Sequence, residues 1–534
     1  MNPSVATTDS KKKMRISIGN VAVLLMATSV LGQLLGFLRT KLVNANFPTV
    51  GPHSTDAYFA AFNVPDLFFY TIAAGALGVA FMPILADHLH KGDKKGLWEL
   101  SMSLLNFLAI IMFFVGVIMF VFAVPLIKYV VAPGLTPPQL HNAVDIMRII
   151  SFNPLLFTIS GILVASEQTM GRFFFYAIAP LFYNLSIILS IFVFKGSLGL
   201  VGLGVGALIG AFLQLLIVSM GLWKLGFHWH PSIKWKSKDF HTILHNLPPR
   251  SMDQGMDQIE NVVETHIASN LGPGNITYYN NAFILSTVPI LLIGTNIATA
   301  AFPRLNARLS QKRPDLFRKD FLMVIRAMIW IAAPTVVICY FCRGYLARMI
   351  YVRGSPQISD IFGFLCLAIF FRILYSIISR WFYANKDTRT PLYVSIFTIT
   401  LNVFLAVDLS HPSRYGVEGL AIAQSVVATV EVFILVVIML IRDPRLFDRY
   451  FWGGVGRIIS VTGFSVVATF IMISLYPLEA NEHGIFSLGS KLFFITVVTF
   501  SVQLAVSALF DLEEAKPIIR KLKQVVLAPV RLES

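Results

Sequence analysis

The sequence predicts an all-α polytopic membrane protein: fourteen transmembrane helices, with two pseudo-symmetric six-helix lobes around a central cavity and two further C-terminal helices. Three observations predict it. Hydrophobic residues make up 56% of the 534 positions and charged residues 13%, about half the charged share of an ordinary soluble domain, which excludes both a soluble globular enzyme and a disordered chain. Apolar runs of about 20 residues, the length needed to cross the hydrocarbon core, recur along the whole chain. Lysine and arginine alternate between the loops in the manner of a multi-span topology.

Bounded by Gly, Pro or charge, the runs lie near 17–43, 56–86, 99–127, 142–169, 173–194, 199–223, 249–270, 276–303, 320–342, 358–380, 391–409, 415–441, 454–476 and 489–511. They are called spans 1 to 14. The basic cluster Lys11–Arg15 precedes a run too long for a signal h-region, so span 1 is read as uncleaved. Of the 43 Lys and Arg, 31 fall in the tails and in the loops on their side, six in the opposite loops and six within spans. Both termini are therefore expected in the cytoplasm. The net charge of +15 is a topological signal and an attraction to anionic lipid, not a nucleic-acid footprint. Cys339, Cys342 and Cys366 sit in apolar runs and read as packing.

Shifted by 220 residues, Tyr58 meets Tyr278, Ala80 meets Ala300, Pro83 meets Pro303 and Leu85 meets Leu305. Span 2 then corresponds to span 8. An offset of six spans preserves orientation, as in a parallel duplication about the membrane normal. The expected division is an N-lobe at 1–226, a C-lobe at 227–441 preceded by a cytoplasmic loop, and spans 13–14 with a basic tail at 442–534.

Ionisable side chains within spans are costly and mark cavities or partners. In span 7, the weakest by hydropathy, Asp253, Asp257, Glu260 and Glu264 share one helical face, with Asn261 and His266 close by. Arg39 lies in span 1, Asp56 opens span 2, Arg372 is in span 10, Asn402 in span 11, and Glu418, Gln424 and Glu431 in span 12. Glu264 with amide oxygens such as Asn402 and Gln424 makes a candidate site for a monovalent cation or a proton. Asn280, Asn281 and Asn296 in span 8 suit glycan hydroxyls, and equally interhelical hydrogen bonds. Phe68–Tyr70 reads as lipid-facing or lateral-gate packing, and Phe173–Tyr176 as an interface belt. No phosphate loop, nucleophile elbow or HExxH motif is present, and enzyme chemistry has no visible residues.

The strings LGFLRTKLV (35–43), TDAYFAAFNVPDL (55–67), AAGALGVAFMPILAD (73–87), ATAAFPRL (298–305) and FYANKDTRTP (382–391) resemble the MurJ (MviN) family of lipid II flippases, within the multidrug/oligosaccharidyl-lipid/polysaccharide exporter superfamily. The resemblance runs along spans 1–12. It implies movement of a lipid-linked disaccharide-pentapeptide from the cytoplasmic to the outer leaflet of a bacterial inner membrane, by alternating access driven by membrane potential or by Na+ or H+. It implies no cofactor, a monomer among membrane lipids, and contact with cell-wall synthesis proteins. Arg39 matches one of the cavity arginines of that family, and Asp56 a nearby aspartate. Gln33, Phe69 or Tyr70, and Ala74 stand where the family carries charge. Asn280, Asn281 and Ala282 replace its Ala-Asp-Arg.

Much of that family's diphosphate clamp is thus absent. An amide or a phenyl ring cannot replace a guanidinium fork, so Arg372, Arg380 or Lys41 would have to contribute. The resemblance places substrate on Arg39, Asp56, Gln33, Asn280, Asn281 and Arg372. Two other readings remain at this point: a cation-coupled multidrug-type exporter, favoured by the acidic stripe, and a non-transporting scaffold of cell-wall synthesis.

Overall fold

The computed structural model describes residues 18–74, 81–223, 225–351, 356–479, 482 and 485–527, and among these it contains helices and no strand. Among the described residues, ten helical stretches are long and apolar enough to cross a membrane. One of them, Phe174–Gly221, is a hairpin of two helices, Phe174–Leu198 and Gly202–Gly221. Three further helical regions stand beside these: Ile18–Asn46, the segments Thr55–Phe68 and Met82–His90 of span 2, and Lys238–Asn270, the last carrying several acids along its apolar part. The total is compatible with fourteen spans. Ala80 of the repeat lies outside the described residues, as do the side chains of Ala74 and Asp253.

Proline shapes several spans. In span 2, Pro65 lies inside Thr55–Phe68, and a wide π-type turn follows at Phe69–Ala74. In span 8, Pro289 ends Asn275–Pro289, and an equivalent wide turn follows at Ile290–Thr295. Span 3 repeats the device, with Pro125 before Leu126–Val131. A proline ring removes one backbone donor and crowds the carbonyl of the preceding turn, which a wider turn relieves. The wide turns of spans 2 and 8 occupy matching places under the 220-residue shift.

Span 7 starts earlier than its hydropathy indicates. Its helix runs from Lys238, capped by the Ser237 hydroxyl, through Pro248 and Pro249 to Asn270. The preceding segment packs on span 3 (Lys94–Val121): Trp98 Nε1 donates to the Leu225 carbonyl at 3.3 Å, and Phe240 is fully buried. Span 7 then crosses between the halves of the bundle, touching span 2 and its wide turn on one side and span 11 (Arg389–Leu409) on the other. Gly255 permits this crossing, because a Cβ there would come within 2.6 Å of Thr71 Oγ1 in the wide turn.

The Lys/Arg-rich end is tied by ion pairs. Arg304 and Arg308 both grip the buried Asp320, and Arg318 binds Asp443 with two hydrogen bonds of 2.9 and 2.7 Å. Spans 13 (Arg449–Leu475) and 14 (Ile485–Leu509) join through a polar seam, Ser465 to Gln503 at 2.6 Å and Thr469 to Thr499 at 2.8 Å. Trp330 of span 9 (Pro314–Phe341) donates to Ser507 at 2.8 Å and holds that pair on the bundle. Hydroxyls paired across helices are how spans associate where lipid supplies no hydrophobic drive.

Candidate functional site: a polar central cavity and a buried acidic network

A cavity of about 680 Å³ lies where spans 1, 2 and 4 to 8 converge. Arg39 of span 1 and Asp66 of span 2 both line it, and Asp66 lies within electrostatic reach of Arg39. Neither side chain makes a hydrogen bond or ion pair to another side chain among the described residues. An arginine and an aspartate without a side-chain partner in one cavity leave charge available to a ligand, which a closed structural ion pair would not. Amides surround them: Asn63, Gln168, Gln258, Asn261 and Asn280 also reach the cavity wall.

Glu264 of span 7 lines the same cavity and belongs to a second, buried layer. Gln424 of span 12 (Glu418–Arg442) donates through Nε2 to Glu264 at 2.7 Å and to Glu260 at 2.9 Å. Asn402 of span 11 donates through Nδ2 to both carboxylates, 3.3 Å in the case of Glu264. Its Oδ1 is buried without a partner, and the Tyr279 hydroxyl lies beside Glu264 without a well-directed hydrogen bond. Two adjacent buried carboxylates repel, and each amide supplies only a partial positive charge. A proton or a small cation between them would relieve that repulsion. Oxygens of Glu260, Glu264 and Asn402 form a donor set suited to a hard monovalent ion.

On the far side of Gln424 lies Arg372 of span 10 (Pro356–Ala384). It donates to Gln424 Oε1 at 3.3 Å and to Glu431 at 3.4 Å, while Ser395 donates to Glu431 at 2.9 Å. Arg372, Arg380 and Glu431 line a separate cavity of about 310 Å³. Arg372 is thus engaged with the acidic network and is set apart from Arg39.

The Lys/Arg-poor end of the bundle is closed over the central cavity. Asp56 accepts from the Gly274 N–H at 2.6 Å, and from the N–H and hydroxyl of Thr277 at 2.9 and 2.7 Å. It caps span 8 from another helix, where Gly274 with its φ of +89° turns the chain into the first turn. Thr55 meets Thr277 at 2.9 Å, Asn44 meets Asn281 at 3.0 Å, and His266 Nδ1 meets the Val130 carbonyl at 2.8 Å. Gln139 donates to Ser54 and to the Gly51 carbonyl.

The residues chosen from sequence therefore separate into several places. Arg39, Glu264 and Asn280 line the central cavity; Asn402 and Gln424 stand behind Glu264; Arg372 lines the second cavity. Asp56 and Asn281 are buried in the closed end. Gln33 is exposed on span 1 and lines neither cavity. Six residues of helix turn a side chain by about 600°, which puts Gln33 and Arg39 on different faces. Phe69 and Tyr70, expected at lipid or at a lateral gate, line the central cavity where the wide turn begins. Asp66 is missing from the residues chosen from sequence. Its signal is present there, an acid well inside span 2 and part of the quoted string 55–67.

A family profile described as "Lipid II flippase MurJ" matches residues 51–498. The chain is 23% identical to the "Probable lipid II flippase MurJ" of Borreliella burgdorferi over 435 residues, covering 79% of this chain and 84% of the relative. It is 24% identical to the protein of the same name from Buchnera aphidicola subsp. Acyrthosiphon pisum over 480 residues, covering 86% and 90%. Its fold is similar to a solved "Lipid II flippase MurJ, inward closed conformation", with TM-score 0.74, 22% identity and coverage of 91% and 98%. An inward-facing multidrug transporter of the MATE family in the MOP superfamily follows at TM-score 0.66 and 16% identity, covering 80% and 98%. With a family match across most of its length, and a polar cavity closed at one end, the chain belongs to the MurJ family of lipid II flippases.

Proposed function

We propose that this chain is a flippase for the lipid-linked peptidoglycan precursor of a bacterial cytoplasmic membrane, and that it carries its cargo without chemical change. The observation that carries the reading is the open guanidinium of Arg39 in a cavity sealed at the Lys/Arg-poor end. With the Lys/Arg-rich loops in the cytoplasm, this is an inward-facing state, and the diphosphate of the cargo binds Arg39 as a fork. The amides of Asn63, Asn261 and Asn280 suit the hydroxyls and amides of the disaccharide and peptide. An apolar groove of about 580 Å³ between spans 9, 10, 12 and 13 suits the polyprenyl tail.

The halves 1–226 and 227–441 rock against each other about span 7. Opening outward breaks the Asp56 cap on span 8. A proton or Na+ at Glu260 and Glu264 biases the two states, since a ligand shifts an equilibrium only through differential affinity. Asp66 and Glu264 in the cavity wall also suit a cationic cargo, the alternative that the test below separates.

The test is complementation. The chain is expressed in a bacterium depleted of its own lipid II flippase, with membrane insertion checked. Restored growth together with labelled lipid II in the outer leaflet supports the reading. Good insertion without either overturns the cargo. Resistance to cationic dyes in place of rescue would identify a multidrug-type exporter.

A further inference from the structure

The internal repeat relates a second pair of features, on the outside of the bundle. The tail groove between spans 9, 10, 12 and 13 is lined on span 9 by Ile325, Ile329 and Ala333. This row has counterparts 220 residues earlier in Leu105, Ala109 and Phe113 of span 3, which line another apolar groove of about 870 Å³ against spans 4 and 6. Span 6 contributes Leu215 and Ser219, one turn apart, as span 12 contributes Val432 and Val436. The two grooves are repeats of one another, and they differ in their cover. Span 13 covers the later one, whereas among the described residues the earlier one is covered only at its mouth, by the segment from Phe227 to Ile233.

That mouth is a built structure. The buried Asn106 donates through Nδ2 to the carbonyls of His230 at 2.9 Å and Ser232 at 3.0 Å, and its Oδ1 accepts from Trp229 Nε1 at 3.1 Å. The Lys234 N–H donates to Ser103 at 3.1 Å. Trp223, Trp229 and Trp235 are exposed around it, as side chains at a membrane–water interface are. The charge at this level is positive. Lys236 and Lys238 are exposed, while the neighbouring acids are engaged, Glu99 with Lys234 and both Asp93 and Asp239 with His88. From Leu105 to Phe114 the groove runs along about 14 Å of helix, close to the depth of one leaflet, half of a hydrocarbon core about 30 Å thick.

We propose that this groove binds an acyl chain of an anionic phospholipid of the cytoplasmic leaflet, with the headgroup on the 228–238 segment. The site is independent of the cargo and needs no transport to be detected. Since the same segment leads directly into span 7, the bound lipid holds the start of that helix against span 3.

The full-length protein in nanodiscs tests this with phosphatidylglycerol carrying a photoreactive group on its acyl chain, in parallel with the phosphatidylcholine analogue. The expected label lies on the peptides containing 105–114 and 155–163, in excess over the lipid-facing surface of span 5 at Phe192 and Val193. Phosphatidylglycerol should label them about thirtyfold more than phosphatidylcholine, the scale two lysines set near an anionic surface. Ala109→Trp should remove the span 3 label while leaving that of span 5, which also reports that the variant is folded. Lys236→Glu with Lys238→Glu should abolish the headgroup preference and retain the label. Uniform labelling of all lipid-facing spans, equal labelling by both lipids, or an Ala109→Trp variant labelled like the parent would each overturn the proposal.

Discussion

Gln424 hydrogen-bonds to two charged groups at once: its Nε2 donates to Glu264 at 2.7 Å, and its Oε1 accepts from Arg372 at 3.3 Å. Glu264 faces the central cavity and Arg372 the second one. A change of charge on Glu264 is therefore felt by Arg372 both through space and through the Gln424 amide.

Gln424→Leu removes a donor from two buried carboxylates and an acceptor from Arg372. Leaving such groups unpaired costs about 1–3 kcal/mol, so the midpoint of thermal unfolding in detergent should fall. An unchanged midpoint would mean that Gln424 contributes no net stabilisation to the network.

Glu264→Gln keeps shape and hydrogen-bonding capacity but removes the charge that attracts a cation. Transport into the outer leaflet should fall about tenfold, within the usual range of coupling free energies, with normal membrane insertion. Dependence of the remaining transport on the ion or proton gradient should disappear. A variant with parental rate and parental gradient dependence would exclude Glu264 as the coupling group.

Arg39→Ala should abolish rescue of flippase-depleted cells, and Arg39→Lys should restore only part of it, because an ammonium retains the charge without the fork. Full rescue by Arg39→Ala would show that the diphosphate is held elsewhere.

Asp56 accepts three hydrogen bonds from span 8 at the closed end. Asp56→Ala should weaken the closed state by about 1–3 kcal/mol. Spin labels at Val50→Cys and Pro273→Cys flank this contact, and their distance distribution should gain a longer component. An unaltered distribution would place the control of closure in the other contacts of that end.

Asp387, in the loop between spans 10 and 11, responds to pH in a defined direction. Partial burial pushes its pKa up, but hydrogen bonds from Thr390 and the Arg442 guanidinium outweigh this and bring it down to about 2. The folded value lies below the unfolded one, about 3.9. The stabilisation is therefore complete above about pH 4 and is lost as pH falls through about 2. The thermal advantage of the parent over Asp387→Asn should be constant from neutral pH to about pH 5 and shrink below pH 4. A difference independent of pH down to pH 2 would show that the charge is not what stabilises this loop.

Much of the architecture was determined by the sequence alone. Apolar length marks a multi-span helical chain, because a bilayer admits few solutions for so apolar a sequence, and the 220-residue correspondence recurs in the wide turns of spans 2 and 8. The family was legible in five short strings, and Arg39 and Glu264 stood out as charges inside spans. Only tertiary structure decided which polar side chains share a cavity. Apolar periodicity marks the core face of a helix in water, but in lipid both faces are apolar and the pattern loses its direction. Thus Gln33 lies outside, Asp66 lies beside Arg39, and Phe69 and Tyr70 line the central cavity where the wide turn begins. Glu264 finds its partners on spans 11 and 12, far along the chain, and Asp56 finds its own at the start of span 8. Such contacts depend on how helices cross, which is set by packing between segments rather than by the pattern within any one of them.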